Sequence, residues 1–184
     1  MRTLGIDPGS LDGGAAVLTP DGRMIDWLAW WTLRRKSGPV MMVAGFCCLQ
    51  RPWRFERALA SLAQQHGPMH VVCEDLMRIS GRKMNPSTVI TLAEAAGAAI
   101  GAVSQQTTTL RRVLATDWRP IVLSLPKRYD AKRAEEMAID QAPRIIESAH
   151  WDDIAGLPKR ARGAVAEAAC IARWGHVTRQ REAG

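Results

Sequence analysis

The sequence predicts an α/β domain in which an antiparallel meander is extended by a parallel strand. Three apolar runs near the N-terminus, separated by turns that contain glycine and proline, predict the meander. A helical pattern followed by the compact apolar run 69–75 predicts the parallel strand, because strand, helix and strand in succession form a right-handed crossover. We expect one domain over residues 1–178 and a flexible C-terminal tail over residues 179–184.

The first strand covers residues 2–6 and ends in an acid. Pro8 lacks the backbone donor of a strand and Gly9 permits a tight exit, so Asp7 is the last residue of the strand. Runs 15–18 and 24–31 complete the meander. Asp7 also has a simpler interpretation as a turn residue that satisfies local backbone donors. The turn is similar as well to the first phosphate loop of the actin and sugar-kinase superfamily, but 184 residues are too few for its two lobes.

Periodicity and turn residues predict the rest of the chain. In order, we expect a connection over 33–50, a helix that follows Pro52 and ends at 66–68, a strand over 69–75 and a helix over 87–103. After these we expect a strand over 110–115 with its exit at 116–120, a helix over 131–142 and a buried helix over 163–174. The helix over 87–103 is rich in alanine and glycine, which indicates either tight packing on the sheet or a helix–helix dimer interface.

The charge balance favours an acidic partner. Twenty-five Lys and Arg residues against eighteen Asp and Glu residues give a net charge of +7 and a pI near 9.8, which suits nucleic acid. The basic residues form seven clusters: 34–36, Arg51/Arg54/Arg57, Arg78/Arg82/Lys83, 111–112, 127–128, 132–133 and Lys159/Arg160/Arg162. Any one cluster is explained by solubility, but together they favour a nucleic-acid surface. We find no apolar run of about 18 residues and no signal peptide, so we expect a cytoplasmic protein without a membrane partner.

The four cysteines, Cys47, Cys48, Cys73 and Cys170, form no C-x-x-C pair, which predicts reduced thiols without zinc or disulfides.

Three acids are candidate metal ligands. If the run 69–75 pairs parallel to the first strand, Asp7 and Glu74 end side by side and raise each other's pKa unless a cation joins them. Magnesium suits such a site, since it takes carboxylate oxygens and keeps positions open for phosphate and water. Glu167 lies in the middle of the buried final helix and needs a partner, which is either the shared metal or one of the many arginines.

Six motifs then occur in a fixed order between about Arg2 and Gly175. They are Ile6-Asp7-Pro8-Gly9, the hairpin strand 13–18, Val71-Val72-Cys73-Glu74, Asn85-Pro86-Ser87 with Leu92, Ala95 and Gly97, Thr116-Asp117-Trp118-Arg119, and Val165-Ala166-Glu167-Ala168. This ordered set resembles the RuvC-type Holliday junction resolvases, most closely the branch found in bacteriophages and prophages.

The resemblance implies an RNase H-like, retroviral-integrase-like fold, in which a mixed five-stranded sheet is flanked by helices. It implies a homodimer that acts on a four-way junction or other branched DNA in the cytoplasm of a bacterium or phage-infected cell, with no small-molecule substrate. Asp7, Glu74 and Glu167 match the catalytic acids that bind Mg²⁺, for which Mn²⁺ can substitute. Lys132 falls near the family's basic residue before its penultimate helix and is expected to be catalytic. Expected DNA contacts, taken from the basic clusters and from the loop after Glu74, are Arg78, Arg82, Lys83, Arg119, Lys127, Arg128, Lys132, Arg133, Arg160 and Arg162.

One departure from the family concerns the final helix. The family carries a further acid or histidine three or four residues before the last acid, where this chain has Ala164 and Gly163. Either three carboxylates suffice, or Asp152 or Asp153 substitutes, or the chain has been altered. The expected reaction is metal-assisted phosphodiester hydrolysis that leaves a 5′-phosphate. The alternative is a junction-binding protein with the same fold and no turnover.

Overall fold

A mixed β-sheet forms the centre of the molecule. The computed structural model describes residues 1–9, 11–36, 38–45, 48–52, 54–75, 85–126 and 130–183, with the backbone alone at residues 35, 48–52, 131–132 and 183. Within these residues the sheet has seven strands in the order β5-β4-β3-β2-β1-β6-β7. The mixed sheet agrees with the α/β prediction, although it has two strands more than the five expected.

The predicted N-terminal meander is confirmed, and it continues further than the sequence indicates. β1 (Thr3–Asp7), β2 (Asp12–Leu18) and β3 (Met24–Arg35) pair antiparallel. β4 (Gly38–Gly45) and β5 (Cys48–Pro52) then extend the same sheet. The prediction of a connection over residues 33–50 is therefore wrong. Glycine and proline at the ends of these strands are typical of turns, but both residues are tolerated near the edge of a sheet.

The predicted strands over 69–75 and 110–115 are both present, although the second runs from residue 107 to residue 113. β6 (Met69–Glu74) pairs parallel to β1, and β7 (Thr107–Val113) pairs parallel to β6. The helix between β6 and β7 makes the crossover that a parallel pair requires.

Helices cover both faces of the sheet. α1 (Phe55–His66) and α2 (Pro86–Val103) share a core with β1 and β6 on one face. On the other face lie α3 (Ala115–Val122), α4 (Ala131–Ile145), α5 (Trp151–Ala155) and α6 (Lys159–Ala183). The prediction of an irregular exit at residues 116–120 is wrong, because α3 continues past Pro120. α4 likewise continues past Pro143, three residues beyond the predicted end, and α6 is helical through Ala183.

Two strand glycines let α6 approach the sheet closely. A Cβ at Gly5 would collide with the backbone of Ala168 and Ala172, and a Cβ at Gly14 would lie 2.5 Å from the carbonyl oxygen of Ala164. Any larger residue at either position would push the helix away. This close packing fixes α6 across β1 and β2, and with it every side chain that α6 presents to the end of the sheet.

Helix α2 leaves much of its apolar surface uncovered. Ala96, Ala99 and Val103 are buried, whereas the side chain of Ile90 is 58% exposed. By length and composition the segment Pro86–Gln106 is the one helix among the described residues that could cross a membrane, a test that core helices of soluble proteins also pass. The expectation that no apolar run has sufficient length is therefore corrected for this segment.

The described cysteine side chains are buried thiols. Cys73 and Cys170 are free, and burial raises the pKa of Cys73 to about 12, which makes its thiol unreactive. Cys47 lies outside the described residues, and Cys48 is described by its backbone alone.

Candidate active site

Asp7 and Glu74 lie next to each other at the ends of two neighbouring parallel strands. β1 and β6 pair in register up to Ile6 and Cys73, so the next residue of each strand is an acid. Glu74 is buried and Asp7 is partly buried. The predicted parallel pairing is confirmed, and it places the two carboxylates at one end of the sheet.

Trp30 holds the turn that follows Asp7. Its indole Nε1 donates a hydrogen bond to the carbonyl oxygen of Gly9 at 3.2 Å, and its ring stacks on Phe55 with centroids 4.8 Å apart. Trp30 is fully buried on β3, and Gly13 leaves the space that the ring occupies. A side chain of β3 therefore fixes the turn at the end of β1.

Glu167 reaches the same end of the sheet from α6. After burial, the negative charges of Glu167 and Glu74 are the largest causes that raise the pKa of Asp7 well above its ordinary value. Burial likewise raises the pKa of Glu74, and it raises the pKa of Glu167 to about 7, with the charge of Glu74 contributing in the same direction. The three acids thus form one electrostatically coupled group, in which each ionised carboxylate opposes the next.

Consecutive residues of α3 contact two of these acids. The indole Nε1 of Trp118, a residue that is fully buried, donates to Glu74 Oε1 at 3.0 Å. The next residue, Arg119, donates from Nη2 to Glu167 Oε1 at 2.6 Å, and its side chain is only 13% exposed. The Arg119 guanidinium lowers the pKa of Asp7, Glu74 and Glu167, which partly offsets the effect of burial. Arg119 therefore supplies the positive charge of the acidic group.

The donor set of this group fits a divalent cation. Asp7, Glu74 and Glu167 offer the hard carboxylate oxygens that Mg²⁺ prefers, and their mutual repulsion is relieved by a cation. In the arrangement seen here, no three His, Cys, Asp or Glu side chains of the described residues are grouped closely enough to hold a metal. Glu167 is bonded to Arg119 in this arrangement, so its carboxylate would have to leave the guanidinium before it could contribute to a metal site.

A further acid lies beside Glu167. A Cβ at Gly163, one helical turn before Glu167, would lie 2.8 Å from Oε1 of Glu135, a residue of α4. The expected substitutes are placed differently. Asp152 and Asp153 are exposed on α5, and Asp153 faces His150 at 3.9 Å. Ala164 is buried, with its backbone packed against Gly14.

A basic groove begins next to the acids. It has a volume of about 990 Å³ and is lined by the start of β2, the end of β3, the start of β4 and the start of α6. Arg34, Lys159 and Arg160 contribute its positive charge. Asp12 lines the groove and also acts electrostatically on Asp7, so the groove leads to the carboxylates.

The predicted DNA contacts are found in different environments. Arg160 is exposed in the groove, Arg133 is exposed on α4, and Arg162 is partly buried and donates to the carbonyl oxygen of Ala155 at 3.4 Å. Arg119 lies among the acids instead of on the open surface. Lys132 begins α4 but is described by its backbone alone. The other predicted contacts lie outside the described residues: Arg78, Arg82, Lys83, Lys127 and Arg128.

Sequence reasoning did not assign a role to several residues at this site. Arg34 and Lys159 belong to basic clusters, and that signal could have placed them among the contacts. Trp118 is part of a recognised motif but carries no indication that it binds Glu74. Glu135 has no signal in the sequence, because its proximity to Glu167 depends on how α4 packs on α6.

Comparisons with known proteins bear on the fold. No family model and no curated protein matches the chain by sequence. The structure of T. thermophilus RuvC in complex with a Holliday junction substrate is similar over 100% of this chain and 96% of that chain, with a TM-score of 0.58 and 14% identity. A second structure of Thermus thermophilus RuvC gives a TM-score of 0.55 and 13% identity over 98% and 97% of the two chains. The fowlpox virus Holliday junction resolvase gives a TM-score of 0.43 and 12% identity over 100% and 99%. The two RuvC structures show that the chain has the RNase H-like fold of RuvC.

Proposed function

We propose that the protein is a metal-dependent endonuclease that cleaves four-way DNA junctions or other branched DNA. The observation that carries the proposal is the group of three acids at the end of the sheet, of which Glu74 and Glu167 are buried and Asp7 is partly buried. The similarity of the fold to RuvC bound to a Holliday junction substrate supports the choice of substrate. The net charge of +7 supports a partner that is dense in phosphate.

Each residue of the site has a task in the proposed reaction. Asp7, Glu74 and Glu167 would hold Mg²⁺, or Mn²⁺ in its place, and the metal supplies an activated water and stabilises charge on the phosphate. Trp118 orients Glu74 through its indole hydrogen bond. Arg119 would offer its guanidinium to the phosphate when Glu167 releases it. Lys132 remains a predicted catalytic residue at the start of α4.

A cleavage assay tests this proposal directly. Purified protein is incubated with a synthetic four-way junction and with a linear duplex of the same sequence, in Mg²⁺ and in chelator. We expect paired incisions in the junction, only in the presence of metal, and 5′-phosphate ends. Tight junction binding without incision in either Mg²⁺ or Mn²⁺ would instead identify a non-catalytic junction-binding protein.

The basic groove is the proposed path of one DNA arm. Arg160→Ala and Arg34→Ala are each expected to weaken junction binding at low salt. Each should also lower the slope of log affinity against log salt by about 1, since each removes one phosphate contact. Fluorescence anisotropy over a range of salt concentrations measures both quantities.

Arg23→Ala is the matched control for these variants. Arg23 is an exposed arginine, paired with Asp21, at the turn between β2 and β3, so it lies at the opposite end of β2 from Asp12. The control removes the same charge and should leave affinity and salt slope near the unmodified values. Equal losses for all three variants would show that net charge, and not the groove, determines binding.

We also propose that the protein acts as a homodimer through α2. A four-way junction presents two equivalent strands, which a two-fold dimer matches. Ile90, Glu94, Gly97 and Gly101 form an exposed stripe at helical spacing, and a Cβ at either glycine would meet nothing within 4 Å. Glycine costs a helix about 1 kcal/mol relative to alanine, so two exposed glycines one turn apart favour close approach of a second helix.

Gly97→Arg is expected to convert the dimer to a monomer. Position 97 has open space around it in the single chain, and arginine has a higher helix propensity than glycine, so the fold of each subunit should be retained. Multi-angle light scattering at micromolar concentration measures the mass, and Gln64→Arg on the exposed side of α1 is the control. A monomeric mass for the unmodified protein, or a dimeric mass for Gly97→Arg, would rule out this interface.

A further inference from the structure

Gly163 leaves a space beside Glu167 that a carboxylate from another helix fills. The two residues are four apart on α6, so a side chain at position 163 would lie on the same face of the helix as Glu167. Gly163 is buried, and a Cβ there would lie 2.8 Å from Oε1 and 3.1 Å from Cγ of Glu135. The side chain of Glu135 therefore occupies the position next to Glu167 that α6 leaves open.

The charge of Glu135 acts on Glu167. It is one of the causes that raise the pKa of Glu167, which shows that the two carboxylates are within electrostatic range. Among the ion pairs of the described residues none involves Glu135, whereas the adjacent Glu136 binds Lys159 of α6 at 3.3 Å. Helix α4 thus presents Glu136 to the rim of the groove and Glu135 towards Glu167.

A partly buried carboxylate within electrostatic range of a second one is unfavourable without a cation. Buried alanines of α4 pack against Ala166 and Cys170 of α6 in one core cluster, so Glu135 is kept beside Glu167 by the packing of the two helices. The fold therefore fixes the position of Glu135, and a bound cation would remove its repulsion with Glu167.

We propose that Glu135 is a fourth acidic group of the metal site, contributed by α4 across Gly163, where it strengthens the binding of a divalent cation at the Glu167 end. This inference rests on the proposed function, because it assumes that Asp7, Glu74 and Glu167 bind the metal. The site then contains one acid from each of β1, β6, α6 and α4, and metal binding would connect α4 to the sheet. Position 163 is glycine because the α4 carboxylate needs the space.

Calorimetric titration with Mg²⁺ and with Mn²⁺, in the absence of DNA, tests the proposal on the full chain. We expect Glu135→Gln to weaken binding of both ions about tenfold or more, the usual loss when a group that supports a metal site is changed. Glu136→Gln is the matched control, since it removes the same charge from the neighbouring position of the same helix. It should leave both affinities unchanged.

Two further variants separate a metal role from a structural one. Gly163→Ala should also weaken metal binding with Glu135 intact, because the added methyl group displaces its carboxylate. Glu135→Ala combined with Gly163→Asp moves the carboxylate from α4 to α6 and should recover most of the affinity. Thermal melting in chelator checks folding, and Glu135→Gln should melt no lower than the unmodified protein because a repulsion has been removed.

The outcomes distinguish this inference from the proposed function. If the unmodified protein binds the ions and Glu135→Gln binds them equally well, Glu135 is not part of the metal site and the proposed function stands. If Glu135→Gln and Glu136→Gln weaken binding equally, the effect is general charge and the inference is wrong. If the unmodified protein binds neither ion, both the inference and the proposed function fail.

Discussion

Asp7→Asn and Glu74→Gln are each expected to abolish metal-dependent cleavage while junction binding is retained. Both acids lie at the ends of adjacent parallel strands, where each would hold the metal. Loss of one group that stabilises charge in the transition state commonly costs roughly 10²–10³ in rate, and loss of a metal-binding carboxylate should cost at least that much. Neither substitution changes the basic groove, so affinity for a synthetic junction should stay the same or increase.

Asp7→Asn should also stabilise the folded state in the absence of metal. Burial and the neighbouring charges raise the pKa of Asp7, so the ionised form destabilises the folded state as pH rises above the ordinary value for Asp. An asparagine removes that charge, and Asp7→Asn should melt higher than the unmodified protein in chelator at neutral pH. Added Mg²⁺ should then shift the variant less than the unmodified protein.

Asp152→Asn is the control for both variants, because it removes an equal charge from an exposed position on α5. Single-turnover cleavage and electrophoretic mobility shifts measure rate and affinity. Cleavage by Asp7→Asn or Glu74→Gln at the rate of the control would show that the metal is not held at the ends of β1 and β6.

The acids at the ends of the strands were predictable from the sequence because their placement follows from local patterns. A buried run that ends in Asp7 and another that ends in Glu74 need only the parallel pairing of β1 and β6 to come together. That pairing follows from the crossover rule and does not depend on details of packing. The position of Glu167 in a buried helix was predictable for a similar reason, since apolar residues surround it on nearly every face.

The errors in the fold arise where glycine and proline occur inside regular structure. Gly38 and Pro39 indicate a turn, yet both belong to β4, where Pro39 pairs with Arg34 towards the end of the strand. Pro120 and Pro143 indicate helix ends, yet α3 and α4 continue beyond them. Proline removes one helix hydrogen bond, and tertiary packing of the surrounding residues can offset that loss.

The partners of the acids could not be predicted, because they depend on contacts between distant segments. Trp118 and Arg119 reach Glu74 and Glu167 from 44 and 48 residues away in the sequence. Of the two partners weighed for Glu167, the structure shows the arginine. That ion pair offsets part of the negative charge of the three acids.

Arg119→Met is expected to destabilise the metal-free protein in a pH-dependent manner. The ordinary pKa of Glu167 is 4.5 and its value in the fold is about 7, so the folded state holds more protons than the unfolded state between these values. Stability therefore falls as pH rises from 4.5 to about 7 and levels off above it. Without Arg119 the pKa of Glu167 rises further, and those of Asp7 and Glu74 rise with it, so the fall continues above neutral pH.

The difference in unfolding free energy between Arg119→Met and the unmodified protein should thus be about 1–2 kcal/mol larger at about pH 8.5 than at about pH 6, since one pKa unit corresponds to about 1.4 kcal/mol. Denaturant unfolding in chelator at the two pH values measures it. Mg²⁺ should restore Arg119→Met more than it stabilises the unmodified protein, because the ion no longer competes with the guanidinium for Glu167. The double variant Arg119→Met/Glu167→Gln should lose most of the extra pH dependence. A difference that stays constant with pH would mean that Arg119 contributes packing against Trp118 and not the charge that balances the three acids.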